Sequence, residues 1–145
     1  GVYVDKSYEA GDAGLKFDLK IEFEPLEIDG DAEALNQLLA NLVDNAIKYN
    51  RVGGTVEMKL SKRGLIGLVQ VEDTGIGISS DEKERIFERF YRVDKARAKA
   101  AAGTGLGLAI VKHIAQAHKG SVTVDSQLEK GSVFSVNIPL AEQNL

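Results

Sequence analysis

The sequence predicts an α+β fold, a two-layer α/β sandwich in which helices cover one face of a mainly antiparallel mixed sheet. Three observations predict it. Leu15, Phe17, Leu19, Ile21 and Phe23 alternate with charged residues, the period-two signature of a strand with one wet face. Leu35, Leu38, Leu39, Leu42, Val43 and Ala46 recur at three- and four-residue steps, a helix with one apolar stripe. A chain of 145 residues, 43% hydrophobic and 28% charged, suits a single core, so one domain over 1–145 is expected. Half-buried strands and striped helices bury their apolar sides together when the helices lie on one face of the sheet.

Taken in order, Asp5 to Ala13 reads as a short helix closed by Gly14, and the strand over Leu15–Phe23 follows. After Pro25, Asp29-Gly30-Asp31 offers a turn and an N-cap for a long helix to about Tyr49, which Asn50 to Gly54 ends. Thr55 to Leu60 and Gly67 to Asp73 read as a hairpin whose connection contains Lys62, Arg63 and Gly64. From Gly75 to Gly105 the pattern loosens into glycine turns, a short charged helix around Glu82 to Phe90, and an alanine-rich stretch. Leu106 to Ala117 regains helical periodicity, and Ser121–Asp125 and Ser132–Pro139 supply two more strands.

The bulk properties exclude several functions. A net charge of -4 argues against non-specific nucleic-acid or membrane-surface binding, which needs a basic face. Without cysteine there are neither disulfides nor thiolate metal sites. No apolar run approaches the roughly 20 residues of a membrane helix. The chain begins at Gly1 rather than Met, so a piece of a longer protein is expected, with any membrane anchor outside it.

Three patterns carry chemistry. On the long helix, Asn41, Asn45 and Lys48 share a stripe roughly opposite the apolar one, with Tyr49 at its border. A solvated face is the plain reading, but asparagine is a weak helix former, and two of them in mid-helix suit amide oxygens placed beside Mg²⁺. Along the second hairpin strand, Asp73 continues the buried side of Val69 and Val71; a buried carboxylate needs donors, and a purine amino group is one. Thr74-Gly75-Ile76-Gly77 then lets a flat ring approach the backbone, although a simple turn would carry the same residues.

The third pattern is Gly103-Thr104-Gly105-Leu106-Gly107-Leu108, which runs into a helix and can cradle phosphate on backbone N–H groups. Its spacing is neither the dinucleotide fingerprint nor a Walker loop. Between the glycine runs, Lys83, Arg85, Arg89, Arg92, Lys95, Arg97 and Lys99 form a locally basic patch, either an ordinary charged face or a set of cations for a triphosphate.

In order along the chain, Asn41-Leu42-x-x-Asn45-Ala46-x-Lys48-Tyr49, Asp73-x-Gly75-x-Gly77, Phe87-x-x-Phe90-Tyr91-Arg92 and Gly103-Thr104-Gly105-Leu106-Gly107-Leu108 resemble the asparagine, first glycine, phenylalanine and second glycine boxes of sensor histidine kinases. Gly30-Asp31 and Gly131-Ser132-x-Phe134 match that family too, so the resemblance covers nearly the whole chain. It implies the Bergerat ATP-binding sandwich shared with gyrase, the HSP90 chaperones and the MutL repair proteins, with an ATP lid over about 78–104.

The resemblance also implies roles. Asn45 would be the principal Mg²⁺ ligand with Asn41 beside it; Lys48 and Arg92 would meet phosphates; Tyr49 would pack on adenine. Asp73 would accept from the adenine amino group, Gly75 and Gly77 would shape that pocket, and Gly103, Thr104, Gly105, Leu106 and Gly107 would wrap the triphosphate. ATP and Mg²⁺ are thus the implied cofactors, with Asn41, Asn45, Lys48 and Arg92 as the catalytic set. Hydrolysing relatives place a water-activating glutamate where this chain has Asn41, and an amide cannot act as that base.

The implied partners are a histidine-bearing dimerisation domain of the same kinase and a response regulator, with the isolated domain a monomer at the cytoplasmic end of a membrane-anchored sensor. An ATPase of the same fold and a nucleotide-binding module without transfer activity are the alternatives. His113 and His118 lack the family's phosphoacceptor context, so the acceptor histidine is expected elsewhere. Ala100-Ala101-Ala102 stands where the family has a further glycine and a more polar lid, which bears on lid closure.

Overall fold

The structure of the protein, a computed structural model, describes residues 11, 14–21, 32–91 and 106–139. The helix expected over 5–13, apart from Gly11, lies outside the described residues, as do the turn at 29–31 and the alanine-rich stretch at 98–102. The elements are β1 (Lys16–Ile21), α1 (Ala32–Lys48), β2 (Thr55–Arg63), β3 (Ile66–Asp73), α2 (Gly107–Ala117), β4 (Ser121–Gln127) and β5 (Gly131–Pro139). The five strands form one sheet in the order β1-β2-β3-β5-β4. β1 pairs with β2 in parallel, and the other three ladders are antiparallel. A parallel pair cannot be joined by a tight turn, and the connection that carries α1 makes the crossover.

The expected stripe of α1 is the one that is buried. Leu38, Leu42, Val43 and Ala46 are 0–2% exposed and meet Val56 and Met58 of β2, Val69 and Val71 of β3, and Phe134, Val136 and Ile138 of β5 in one core. α2 adds Val111, Ile114 and Ala115 to that core and packs along α1. Along β3 the period-two pattern holds to its last residue: Val69, Val71 and Asp73 are buried while Glu72 is exposed.

Two expectations change. The charged stretch 79–91 is a run of turns, not a helix: Glu82, Arg85, Glu88 and Tyr91 each donate three residues back, and only Lys83 and Ile86 donate four back. A segment this short nucleates poorly, and Phe90 ends it at a φ of 65°. Asn41 and Asn45 are half-buried instead of solvated, because their stripe of α1 borders a cleft beside α2.

Candidate functional site

Four segments enclose a cleft of about 260 Å³: the last turns of α1, the loop after β3, the turns at 79–91 and the first turn of α2. Asn41, Asn45, Lys48, Tyr49, Asp73, Gly77, Leu106 and Gly107, separated by up to nearly half of the chain, all line it. Gly75 lies just beneath, and Arg92, Gly103, Thr104 and Gly105 are outside the described residues. The helical spacing of α1 explains the first group, since positions 41, 45 and 48 recur on one side.

Asp73 is 7% exposed at the inner end of β3. Its Oδ1 accepts from the Gly75 N–H at 2.9 Å, and the Ser132 N–H also supports the carboxylate. Burial nevertheless dominates and pushes its pKa from the ordinary 3.8 up to about 6, with the backbone donors opposing the rise. The group therefore stays ionised at neutral pH and favours any ligand that brings a donor.

The loop after β3 is held on both sides. Ile76 donates its N–H to the Tyr49 carbonyl at 3.0 Å and accepts from the Glu129 N–H at 2.8 Å. An ion pair between Arg51 and Glu129 spans the same gap. The two glycines of this loop answer the protein's own packing: a Cβ on Gly75 would overlap the Tyr49 carbonyl, and one on Gly77, whose φ is 74°, would overlap the Gln127 carbonyl. They shape the cavity by letting the loop lie close to α1 and the β4–β5 turn.

Ile76, Ile78, Ile86, Leu108 and Ile110 give the cleft apolar walls beside Tyr49, a lining suited to a flat apolar ring. Tyr91 closes one side; its hydroxyl donates to Glu82 Oε1 at 2.9 Å, and the Arg85 guanidinium lies 4.7 Å from its ring centre. At the other end the chemistry is that of anion and cation binding. The Asn41 side-chain nitrogen is buried and has no hydrogen-bond partner among the described residues, a donor that a phosphate oxygen would satisfy. Among the described residues the α2 N-terminus has no side-chain cap, and its first turn holds no acidic residue, so the positive end of the helix borders the cleft without a carboxylate of its own.

No group of three or more His, Cys, Asp or Glu side chains able to hold a metal occurs among the described residues. Asn41 and Asn45 can supply the one or two oxygens that Mg²⁺ needs when it arrives already bound to phosphates. The residues present thus fit a metal that enters with its nucleotide.

Sequence reasoning missed several lining residues. Ser132 carried a readable signal: it sits two residues before Phe134 on the inner face of β5, where period two puts a polar side chain against the core as it does for Asp73. Asp44 lacked one, since a carboxylate beside Asn45 on a helix reads as surface. Neither His113 nor His118 lines the cleft; His113 is exposed, and His118 Nδ1 contacts the Ile114 carbonyl at 2.8 Å.

Comparison with known proteins agrees with this fold. Residues 30–142 match the family described as histidine kinase-, DNA gyrase B-, and HSP90-like ATPase. The chain is 53% identical over 110 residues to the sensor-like histidine kinase SenX3 of Mycolicibacterium smegmatis, covering 76% of this chain and 29% of that protein. In structure it is similar to the mycobacterial sensor histidine kinase MprB, with a TM-score of 0.85 and 28% identity over 98% of this chain and 93% of that one. It is equally similar to full-length ShkA in complex with AMPPNP, with a TM-score of 0.85 and 32% identity over 99% of this chain and 29% of that one. The chain spans 24–29% of the length of the first curated relatives it matches. Its boxes, its sheet order and its cleft place the chain in the histidine kinase-, DNA gyrase B- and HSP90-like ATPase family, on the sensor histidine kinase side of it.

Proposed function

We propose that the chain is a catalytic domain that binds Mg·ATP in the cleft and delivers the γ-phosphoryl group to a histidine on a separate dimerisation domain, in a two-component pathway ending at a response regulator. The observation that carries this reading is Asn41: its buried amide nitrogen, without a partner among the described residues, suits a phosphate oxygen, and an amide stands where hydrolysing relatives keep a water-activating carboxylate. The similarity to ShkA, whose structure contains AMPPNP, supports a triphosphate in the cleft.

In this reading Asp73 accepts from the adenine amino group and Tyr49 covers the ring, with Gly75 and Gly77 setting the depth of the base pocket. Asn45, with Asn41 beside it, ligates Mg²⁺. Lys48, exposed at the end of α1, reaches the phosphates, as does Arg92, while Gly103, Thr104, Gly105, Leu106 and Gly107 enclose the triphosphate from the α2 side. The histidine nitrogen attacks the γ-phosphorus as the bond to the bridging oxygen breaks, and ADP leaves with that oxygen. The protein's part is to align the two and to neutralise the spreading negative charge. The domain works as a monomer against its partner domain, at the cytoplasmic end of a membrane-anchored sensor. Among the described residues no helix is long and apolar enough to cross a membrane.

One observation favours a second reading, an ATPase of the same fold: Asp44 is a carboxylate that lines the cleft. Steady-state phosphate release by the isolated domain separates the two. The kinase reading expects no sustained turnover, and Asp44→Asn to leave that background unchanged. Multiple turnovers abolished by Asp44→Asn would establish the ATPase.

A further inference from the structure

Ser126 lies outside the cleft, yet its hydroxyl joins two residues that line it, Ile78 and Ser132, to the start of β5. It accepts from the Ile78 N–H at 2.7 Å, donates to the Gly131 carbonyl at 2.9 Å, and lies 2.7 Å from Ser132 Oγ. Counting donors fixes the direction of the last contact. A serine hydroxyl has one proton and two lone pairs. A carbonyl can only accept, so the Ser126 proton is spent on Gly131, and one lone pair is taken by the Ile78 N–H. The remaining lone pair can only receive, and Ser132 is therefore the donor to Ser126.

With its proton turned away, Ser132 Oγ keeps only acceptor capacity for the cleft it lines. Ser132 is 6% exposed and is the cross-strand neighbour of Asp73 on the inner face of the sheet, so two acceptors stand side by side in a buried place. Neighbouring acceptors repel unless a group with two hydrogens comes between them. An exocyclic amino group has two; a carbonyl at the same position of a base has none.

We propose that Ser126 is a positioning residue for nucleotide selection: by accepting the Ser132 proton it locks Ser132 as an acceptor beside Asp73, and so sets the pocket to prefer an amino-bearing purine. The inference rests on reading the cleft as the adenine pocket. The second amino hydrogen reaches Ser132 directly or through one water. Ser126 also pins the Ile78 N–H, so it fixes the pocket wall and the polarity of its acceptor together.

The test is calorimetric titration of the chain with Mg·ATP and with the Mg²⁺ complex of purine riboside triphosphate, which lacks the amino group, for the wild type, Ser126→Ala, Ser126→Cys and Ser126→Thr. The wild type should prefer ATP, Ser126→Ala should reduce that preference about five- to tenfold, and Ser126→Thr, which keeps the hydroxyl, should restore it. A purely structural role would weaken both nucleotides alike. Should Ser126→Ala not fold, the near-isosteric Ser126→Cys, a weak donor and acceptor, carries the same expectation. A wild-type preference retained in the alanine or cysteine variant overturns the role of Ser126 while leaving the adenine pocket standing. No preference in the wild type overturns both.

Discussion

Asp73→Asn is expected to weaken ATP binding about 100-fold, equivalent to about 3 kcal/mol, without disturbing the sheet. The amide oxygen keeps the Gly75 N–H that Oδ1 holds at 2.9 Å, which turns the amide nitrogen toward the ligand. A donor then faces the amino group of the base, and both are left unpaired. Calorimetry on the variant checks this; unchanged affinity would remove Asp73 from the base pocket.

The same carboxyl makes both binding and stability depend on pH. Its folded pKa, about 6, is raised above the ordinary 3.8, so its contribution to stability is complete below about pH 3.8 and is lost as the pH rises through about 6. That loss amounts to about 3 kcal/mol. Melting curves of the free domain should show it in the wild type and not in Asp73→Asn. Binding has the opposite dependence, because an amino donor favours the ionised carboxylate. Affinity for ATP should fall as the pH drops below about 6, by at most tenfold for each pH unit from this group, and the variant should lack that component.

Asn45→Ala is expected to remove most of the gain in nucleotide affinity that Mg²⁺ confers, a loss of about tenfold to 100-fold, while binding of adenosine without metal stays near the wild-type value. Asn45 is half-buried on the cleft side of α1, and its truncation leaves the apolar stripe of Leu38, Leu42 and Val43 untouched. Titrations of ADP with and without Mg²⁺ measure the difference. An intact Mg²⁺ effect would mean that the metal takes its protein oxygen from another residue.

Much of this site was legible because two periodicities coincide with it. The 3.6-residue repeat that buries Leu38, Leu42 and Ala46 also sends Asn41, Asn45 and Lys48 to one side, and the two-residue repeat that buries Val69 and Val71 also buries Asp73. The residues that escaped depend on contacts between segments remote in sequence. Ser132 matters as the cross-strand neighbour of Asp73, and Ser126 through Ile78 and Ser132, pairings that exist only once the β4–β5 turn lies over the loop after β3. The charged stretch around Glu82 to Phe90 read as a helix because its composition permits one; the hydrogen bonds show separate turns, with Phe87 packed edge-on against Phe134 at 6.2 Å.

The central claim is that this cleft keeps ATP intact until a histidine is presented. The measurement that tests it most directly is phosphoryl transfer from γ-labelled Mg·ATP to a histidine-bearing dimerisation domain of this kinase class, with the acid-labile, alkali-stable label followed beside free phosphate. Label on the partner's histidine, absent when that histidine is replaced and accompanied by little free phosphate, is the predicted result. Tight ATP binding with no label on any partner domain, or phosphate released steadily without a partner, would contradict it.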